Sequence, residues 1–206
     1  LYIHFPWCVH KCPYCDFNSS PISDSFDEIT YLQALIDDLM RDINQFEIDR
    51  PIQTIFFGGG TPSLVSPQGL SWLLENINQQ VSFTKHIEVT LEANPGTFER
   101  TTPYKWRSAG INRISLGVQS FNDKQLSNLG RIHNSREAIN AIEWCRKSFE
   151  RLNIDLMFGL PQQTVSQIQH DIEHILQLDP GHVSCYQLTI EPDTPFGQKP
   201  PMLPDE

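Results

Sequence analysis

Short apolar runs alternate with longer amphipathic stretches along this chain of 206 residues. The amphipathic stretches place apolar side chains three and four positions apart, as between Ile29 and Phe46, which is the spacing of one helix face. The short runs predict six strands, at 1–5, 52–57, 86–92, 112–119, 152–158 and 182–188. Repeated strand–helix–strand order predicts an α/β fold with a parallel sheet. Six such units are fewer than the eight that close a TIM barrel.

One face of the predicted sheet is polar. In the strand at 86–92, Ile87, Val89 and Leu91 alternate with polar residues, and the three strands that follow alternate in the same way. Parallel strands covered by helices on both faces would be apolar throughout. Because unpaired buried carboxylates are costly, we expect the polar face to line a cavity that holds a polar ligand. The alternative is an open, wet sheet face without a ligand.

The two ends of the chain bear on domain organisation. The chain begins at Leu1, not Met, inside the first predicted strand, so we expect it to be part of a longer protein. We assign 1–190 to one domain. Residues 191–206 carry five prolines and no periodic pattern, which predicts a linker toward a C-terminal domain that this chain lacks.

Composition excludes several classes of protein. The chain has 15 Lys and Arg against 25 Asp and Glu, a formal net charge of −10, so nucleic-acid binding is not expected. Apolar residues make up 39% and charged residues 19%, which is typical of a globular domain. No run approaches the roughly 18 apolar residues that span a bilayer, although transient contact with a membrane face stays open.

Five cysteines are present, and three of them lie within eight residues. An odd, clustered set argues against a secreted disulfide framework and predicts reduced thiols in the cytoplasm. Cys145 lies in a predicted helix and Cys185 on the apolar face of a predicted strand. We therefore expect both to be buried small hydrophobic residues.

The clustered cysteines, Cys8, Cys12 and Cys15, follow the first predicted strand with the spacing C-x3-C-x2-C. Thiolates grouped in this way bind soft metal centres. Zinc, with His4 or His10 as a fourth ligand, is one alternative, but structural zinc motifs usually have a second pair of ligands and none follows here. Three cysteines would leave one iron of a [4Fe–4S] cluster without a protein ligand, open to bind a substrate.

This motif, with an aromatic residue before its third cysteine and a glycine run after the second strand, resembles that of radical S-adenosylmethionine (radical SAM) enzymes. The resemblance implies a partial (β/α)6 barrel. It also implies a [4Fe–4S] cluster whose open iron binds the amino and carboxylate groups of S-adenosylmethionine. An electron passed from a donor through the cluster would then cleave the sulfonium to a 5′-deoxyadenosyl radical.

Five further segments are similar to the subgroup of oxygen-independent coproporphyrinogen III oxidase. They are YIHFPWC at 2–8, FGGGTPS at 57–63, EANP at 92–95, GVQSF at 117–121 and NIDLMFGLP at 153–161. The resemblance covers nearly the whole chain. It makes Cys8, Cys12 and Cys15 the cluster ligands and implies the following S-adenosylmethionine site: Tyr2, Tyr14, Gly59, Gly60, Thr61, Glu92, Gln119, Arg131 and Asp155.

Alternatives stay open within that site. Some of the matching positions contact a second S-adenosylmethionine in the oxidase, so one or two molecules are expected. Asp155 could instead be a satisfied core carboxylate with Arg131 as its solvated partner, and the glycines could form only a tight turn. Tyr2 shares a strand face with His4 and is expected to point into the cavity.

Phe17 departs from the oxidase pattern, which has a further cysteine two residues after the third cluster cysteine. In this the chain resembles HemW-type heme chaperones, which bind heme and deliver it to acceptor proteins. Their heme-binding His-Asn-x-x-Tyr-Trp motif lies in a C-terminal domain and does not occur in these 206 residues. Three hypotheses follow: a heme chaperone, an oxidase that decarboxylates coproporphyrinogen III propionates, and a zinc-stabilised barrel without radical chemistry.

Overall fold

A computed structural model describes residues 1–204 and shows an α/β architecture. Its strands are β1 (Tyr2–Phe5), β2 (Trp7–Cys8), β3 (Ser20–Pro21), β4 (Ile52–Gly59), β5 (Phe83–Ala93), β6 (Arg113–Gln119), β7 (Arg151–Phe158) and β8 (Gly181–Gln187). Its α-helices are α1 (Glu28–Phe46), α2 (Pro67–Gln80), α3 (Thr102–Ser108), α4 (Asp123–Asn128), α5 (Ser135–Ser148), α6 (Val165–Leu178) and α7 (Pro195–Gln198).

The six long strands form one parallel sheet in the order β1-β4-β5-β6-β7-β8. Each strand therefore pairs with the next long strand of the chain, and β1 and β8 are the edges. All six predicted strands are present, and the predicted α/β class with a parallel sheet is confirmed. The strands' carboxyl ends meet at one side of the sheet, where ligands bind in folds of this kind.

The apolar face of the sheet packs against the helices. Large, fully buried side chains of the strands and of the helices that cover them include Ile55, Leu70, Leu91, Trp106, Ile114, Leu116 and Ile142. Cys145 of α5 is also fully buried, as predicted.

Two helices begin at residues that cap them. The Ser66 side chain accepts a hydrogen bond from the Gly69 N–H at 2.9 Å and caps α2, with Pro67 as the first helical residue. Thr164 and Gln167 form a reciprocal capping box at the start of α6.

Cys185 corrects the prediction that it lies buried on an apolar face. It is exposed, as is Val183 on the same strand. They continue the apolar face in register with Leu156 and Ile154 of β7, but β8 is the edge strand of the sheet. A position at the edge gives a side chain fewer neighbours than the same position on a central strand.

The proline-rich tail lies against the barrel over its described part. The Phe196 N–H donates a hydrogen bond to the Pro13 carbonyl at 3.0 Å, and Gln162 N–H donates to the Met202 carbonyl at 3.0 Å. Phe196 and Leu203 pack with Tyr14 on a small second core. The linker and the further C-terminal domain stay predictions, and residues 205–206 lie outside the described part.

Candidate functional site

The carboxyl ends of the strands surround a cavity of about 410 Å³. The sequence-predicted site residues that line it are Cys8, Cys12, Tyr14, Cys15, Gly59, Gly60, Thr61, Glu92, Gln119, Arg131 and Asp155. Of the predicted set, only Tyr2 is missing from the lining. The polar sheet face therefore does border a cavity, as expected.

The cysteine-bearing loop, residues 8–15, is fastened by backbone pairing at its base. Ser20 N–H donates to the Pro6 carbonyl and Ile22 N–H donates to the Cys8 carbonyl, each at 2.8 Å, which joins β2 to β3. The Lys11 ammonium donates to the carbonyls of Phe17 and Ser19 at 2.9 Å. These contacts hold the three thiols at the edge of the cavity.

The donor set fits an iron–sulfur cluster better than one zinc ion. All three cysteines are free thiols, and burial raises the pKa of Cys15, with the charges of Cys12 and Cys8 adding to that rise. Within residues 1–204, no three His, Cys, Asp or Glu side chains lie close enough together to hold a single metal ion. Three thiols on one loop would each ligate one iron of a [4Fe–4S] cluster, whereas a structural zinc site usually takes four protein ligands.

His4 is also poorly placed as a fourth zinc ligand. Its Nδ1 lies 3.0 Å from the Tyr2 hydroxyl, and its Nε2 lies 2.8 Å from the Asn18 carbonyl oxygen. Both ring nitrogens are therefore engaged within the barrel.

The glycine run brings β4 against β1 and the cysteine-bearing loop. Gly59 has a φ of +110°, and a Cβ added to Gly60 would lie 2.6 Å from the Trp7 carbonyl oxygen. Gly60 N–H and Thr61 N–H donate to the carbonyls of Phe5 and Trp7, each at 2.7 Å. The glycines therefore let the backbone after β4 lie close to the backbone of Phe5 and Trp7, which a larger residue would prevent, and do not merely form a turn.

Two carboxylates face the cavity, Glu92 from β5 and Asp155 from β7. Burial, and then the charge of Asp155, raises the pKa of Glu92 to about 7, although Gly59 N–H donates to Glu92 Oε2 at 3.2 Å and opposes this rise. Burial also raises the pKa of Asp155, which accepts hydrogen bonds from Asn153 at 2.7 Å and from Ser115 at 3.2 Å. A cationic ligand would stabilise both charges.

Arg131 reaches the cavity from the loop after α4. Its Nη2 donates to the Gly117 carbonyl at 2.8 Å and to Asn94 Oδ1, and its Nη1 lies 3.6 Å from Cys12 Sγ. Its buried Nε has no hydrogen-bond partner among the described residues. Arg131 is thus not a solvated partner of Asp155, since it is held between β6 and the cysteine-bearing loop.

Tyr14 and Gln119 also lie in the wall. Burial raises the pKa of Tyr14, whose ring packs toward Phe196 of the tail. Gln119 ends β6 with a φ of +71° and accepts a hydrogen bond from the Tyr186 hydroxyl at 2.7 Å. Gln119 is buried and Tyr14 is partly buried, and both line one cavity with the cysteines.

Tyr2 does not point into the cavity, contrary to expectation. It is 56% exposed, and its ring stacks on Phe56. Tyr2 begins β1 and pairs with Phe56 of β4, so its ring lies over Gly58 on the polar face, beside His4, without lining the cavity.

Sequence reasoning missed several residues of the wall. Asn94, Ser115, Met157 and Tyr186 line the cavity beside the predicted residues. Asn94 donates to Thr61 Oγ1 at 3.1 Å and accepts from Arg131. The position of Asn94, two residues after Glu92 and just beyond the carboxyl end of β5, could have indicated that it lies at the cavity.

Comparison with known proteins places the chain in a family. The sequence profile of the Radical SAM superfamily matches residues 2–175. With three cysteines, a glycine run and two carboxylates at the carboxyl ends of a six-stranded parallel sheet, the chain belongs to this superfamily. The superfamily is associated with a [4Fe–4S] cluster and S-adenosylmethionine.

Within the superfamily, the chain falls in the HemW-type subgroup. It is 49% identical to heme chaperone HemW of Haemophilus influenzae and 45% identical to heme chaperone HemW of Escherichia coli, over its entire length. It covers 55% and 54% of those proteins, so it spans about half the length of the curated relatives that it matches.

A solved structure supports the fold. The chain superimposes on coproporphyrinogen III oxidase (HemN) of Escherichia coli with a TM-score of 0.87 and 26% identity, over 99% of this chain and 48% of the oxidase. The partial barrel of the radical SAM type is therefore confirmed. No helix within residues 1–204 is long and apolar enough to cross a membrane.

Proposed function

We propose that the full-length protein is a cytoplasmic heme chaperone that binds heme and transfers it to acceptor proteins. The observation that carries this proposal is Phe17, which stands in the cavity wall where the oxidase pattern has a further cysteine. The high identity to heme chaperones over the entire chain supports the same function.

Cys8, Cys12 and Cys15 would ligate the [4Fe–4S] cluster, since they are the thiols at the cavity and are held on one fastened loop. When bound, the cluster supplies the electron that cleaves S-adenosylmethionine, after reduction by an electron donor. Phe17 adds no thiol to this set, and its side chain is 56% exposed.

S-adenosylmethionine would occupy the remainder of the cavity. It carries an ammonium, a sulfonium and a carboxylate, and the cavity offers groups of matching charge. Glu92 and Asp155 would stabilise the cationic groups, whereas Arg131 would pair with the carboxylate. The backbone of Gly59, Gly60 and Thr61 permits close approach of the methionine end, and Gln119 adds amide hydrogen bonds.

The second candidate function is oxygen-independent oxidation of coproporphyrinogen III. The TM-score of 0.87 to the oxidase favours it, because the barrel geometry is shared. Shared geometry at 26% identity leaves the chemistry open, since one fold hosts several activities.

The test uses the full-length protein, reconstituted anaerobically. We expect it to bind heme, to pass heme to an apo acceptor, and to form no protoporphyrinogen from coproporphyrinogen III with S-adenosylmethionine and a reductant. The Escherichia coli oxidase serves as the positive control. Formation of protoporphyrinogen by a preparation that cleaves S-adenosylmethionine would overturn the proposal in favour of the oxidase.

A further inference from the structure

Gln119 has an unusual backbone for a residue in a binding site. Its φ of +71° lies in the left-handed region, and the pairing of β6 with β7 shifts register between Gly117 and Gln119. Glu47 and Asp179, which also have positive φ, are helix C-caps, where this conformation is common. Gln119 instead ends a strand and is only 5% exposed, so its conformation aims a side chain into the cavity.

A residue of β8 holds the side-chain amide of Gln119. The Tyr186 hydroxyl, on β8, donates to Gln119 Oε1 at 2.7 Å, although β7 lies between β6 and β8 in the sheet. A Cβ added to Gly117 would lie 3.1 Å from Gln119 Nε2, so the amide nitrogen is over the smallest residue of β6. The phenol uses one of the two lone pairs of Oε1, and the N–H groups of Nε2 remain as donors for a ligand.

The phenol is suited to act as a donor. Burial, with the nearby Tyr14 and Asp155, raises the pKa of Tyr186, which keeps its hydroxyl protonated. A protonated phenol donates one hydrogen bond, and Gln119 Oε1 receives it.

We propose that Tyr186 is a positioning residue, which fixes the Gln119 carboxamide so that its N–H groups point at an acceptor oxygen of the bound S-adenosylmethionine. This inference rests on the proposed place of Gln119 in the cofactor site. It gives Tyr186 a role through Gln119 and not through contact with the cofactor.

The test is a double-mutant cycle on cofactor affinity. The full-length protein is reconstituted with its cluster, and the Kd for S-adenosylmethionine is measured by calorimetry without reductant. We expect Tyr186→Phe, which keeps the ring and removes the hydroxyl, to raise Kd about tenfold, the effect of one well-placed hydrogen bond. Gln119→Ala should raise Kd by at least as much.

The cycle separates positioning from direct contact. In the Gln119→Ala background, Tyr186→Phe should cause no further change in Kd, because the group that it positions is gone. Tyr104→Phe is the matched control, since Tyr104 is 71% exposed on α3, and it should leave Kd unchanged. Iron content should stay constant across the tyrosine variants, and Tyr186→Phe should lower Tm slightly, because Gln119 Oε1 loses its donor.

A side-chain spectrum gives a readout without turnover. In the cluster-free protein, Tyr186→Phe should shift one glutamine side-chain N–H₂ pair in a ¹⁵N correlation spectrum, and Gln119→Ala should remove that same pair.

Three results would each overturn the inference. An unchanged Kd in Tyr186→Phe, with a raised Kd in Gln119→Ala, would refute positioning and leave the cofactor site intact. Equal losses from Tyr186→Phe in both backgrounds would show that the phenol acts independently of Gln119. An unchanged Kd in Gln119→Ala would refute the assignment of Gln119 to the site, and the inference with it.

Discussion

Gly130 lies so close to Pro13 that a Cβ added to Gly130 would stand 2.6 Å from the proline Cδ. Pro13 lies between Cys12 and Cys15, and Gly130 directly precedes Arg131 in sequence. Gly130 also has a φ of +69°, which side chains other than glycine adopt at a cost. The loop after α4 thus contacts the cysteine-bearing loop at a position where only glycine fits.

We predict that Gly130→Ala displaces the cysteine-bearing loop. The variant should lose about 1–2 kcal/mol of unfolding free energy from the left-handed backbone alone, and it should hold less iron after reconstitution. Gly181→Ala is the matched control, because Gly181 has a φ of +84° and nothing lies within 4 Å of its added Cβ. It should lose stability but keep full iron content. Equal iron content in both variants would contradict the role of this contact.

Glu92 should make the cofactor-free protein sensitive to pH. Its pKa rises from 4.5 to about 7, chiefly through burial, so the folded protein holds this proton more tightly than the unfolded chain. Stability from this group is therefore present at low pH and is lost as pH rises from 4.5 toward 7. Above that range the charged carboxylate costs on the order of 3 kcal/mol.

Glu92→Gln removes that cost while it keeps an acceptor for Gly59 N–H. In urea unfolding, we expect the variant to be more stable than the parent by up to about 3 kcal/mol near pH 8, and nearly equal to it near pH 4.5. Glu75→Gln, at an exposed position of α2, should show no such change with pH. A constant difference between Glu92→Gln and the parent at both pH values would refute this account.

Asp171 supports the strand end that carries Gln119. Its side chain is fully buried in α6 and accepts hydrogen bonds from Ser120 Oγ at 2.7 Å and from Phe121 N–H at 2.8 Å. An asparagine has only one acceptor atom there, so one of these two donors loses its partner. The carboxylate therefore holds the backbone just beyond Gln119.

Asp171→Asn should lower the unfolding free energy by about 2 kcal/mol, the cost of a buried donor left without its charged acceptor. It should also weaken S-adenosylmethionine binding, since Ser120 directly follows Gln119. Glu173→Gln, exposed on the same helix, should change neither quantity. A stable variant with full affinity would show that Gln119 does not depend on this anchor.

The sequence predicted the six long strands and the polar face of the sheet, because alternation marks that face, whereas the resemblance to radical SAM enzymes implied most of the individual residues of the cavity wall. It missed β2 and β3, since two-residue strands have no measurable period. Asn94 was missed because its partner Arg131 lies 37 positions along the chain, and only the fold joins them.

Two wrong expectations have the same kind of cause. Cys185 shows the alternation of a buried strand but lies on β8, at the edge of the sheet. Tyr2 lies on the predicted face, but at the start of β1, and does not line the cavity. Periodicity predicts the face of the sheet on which a side chain lies. Which residues surround that side chain depends on its position along the strand and on whether the strand is central or at the edge.

We propose that Cys8, Cys12 and Cys15 hold a [4Fe–4S] cluster that S-adenosylmethionine contacts directly. The most direct measurement is the electron paramagnetic resonance spectrum of the dithionite-reduced, reconstituted protein, with and without S-adenosylmethionine, beside iron and sulfide analysis. We expect about four irons and four sulfides per chain, with a reduced-cluster signal that shifts on addition of S-adenosylmethionine. Cys12→Ala should lose this signal, whereas Cys185→Ala keeps it. Zinc without acid-labile sulfide, or a cluster signal that S-adenosylmethionine leaves unchanged, would contradict the account.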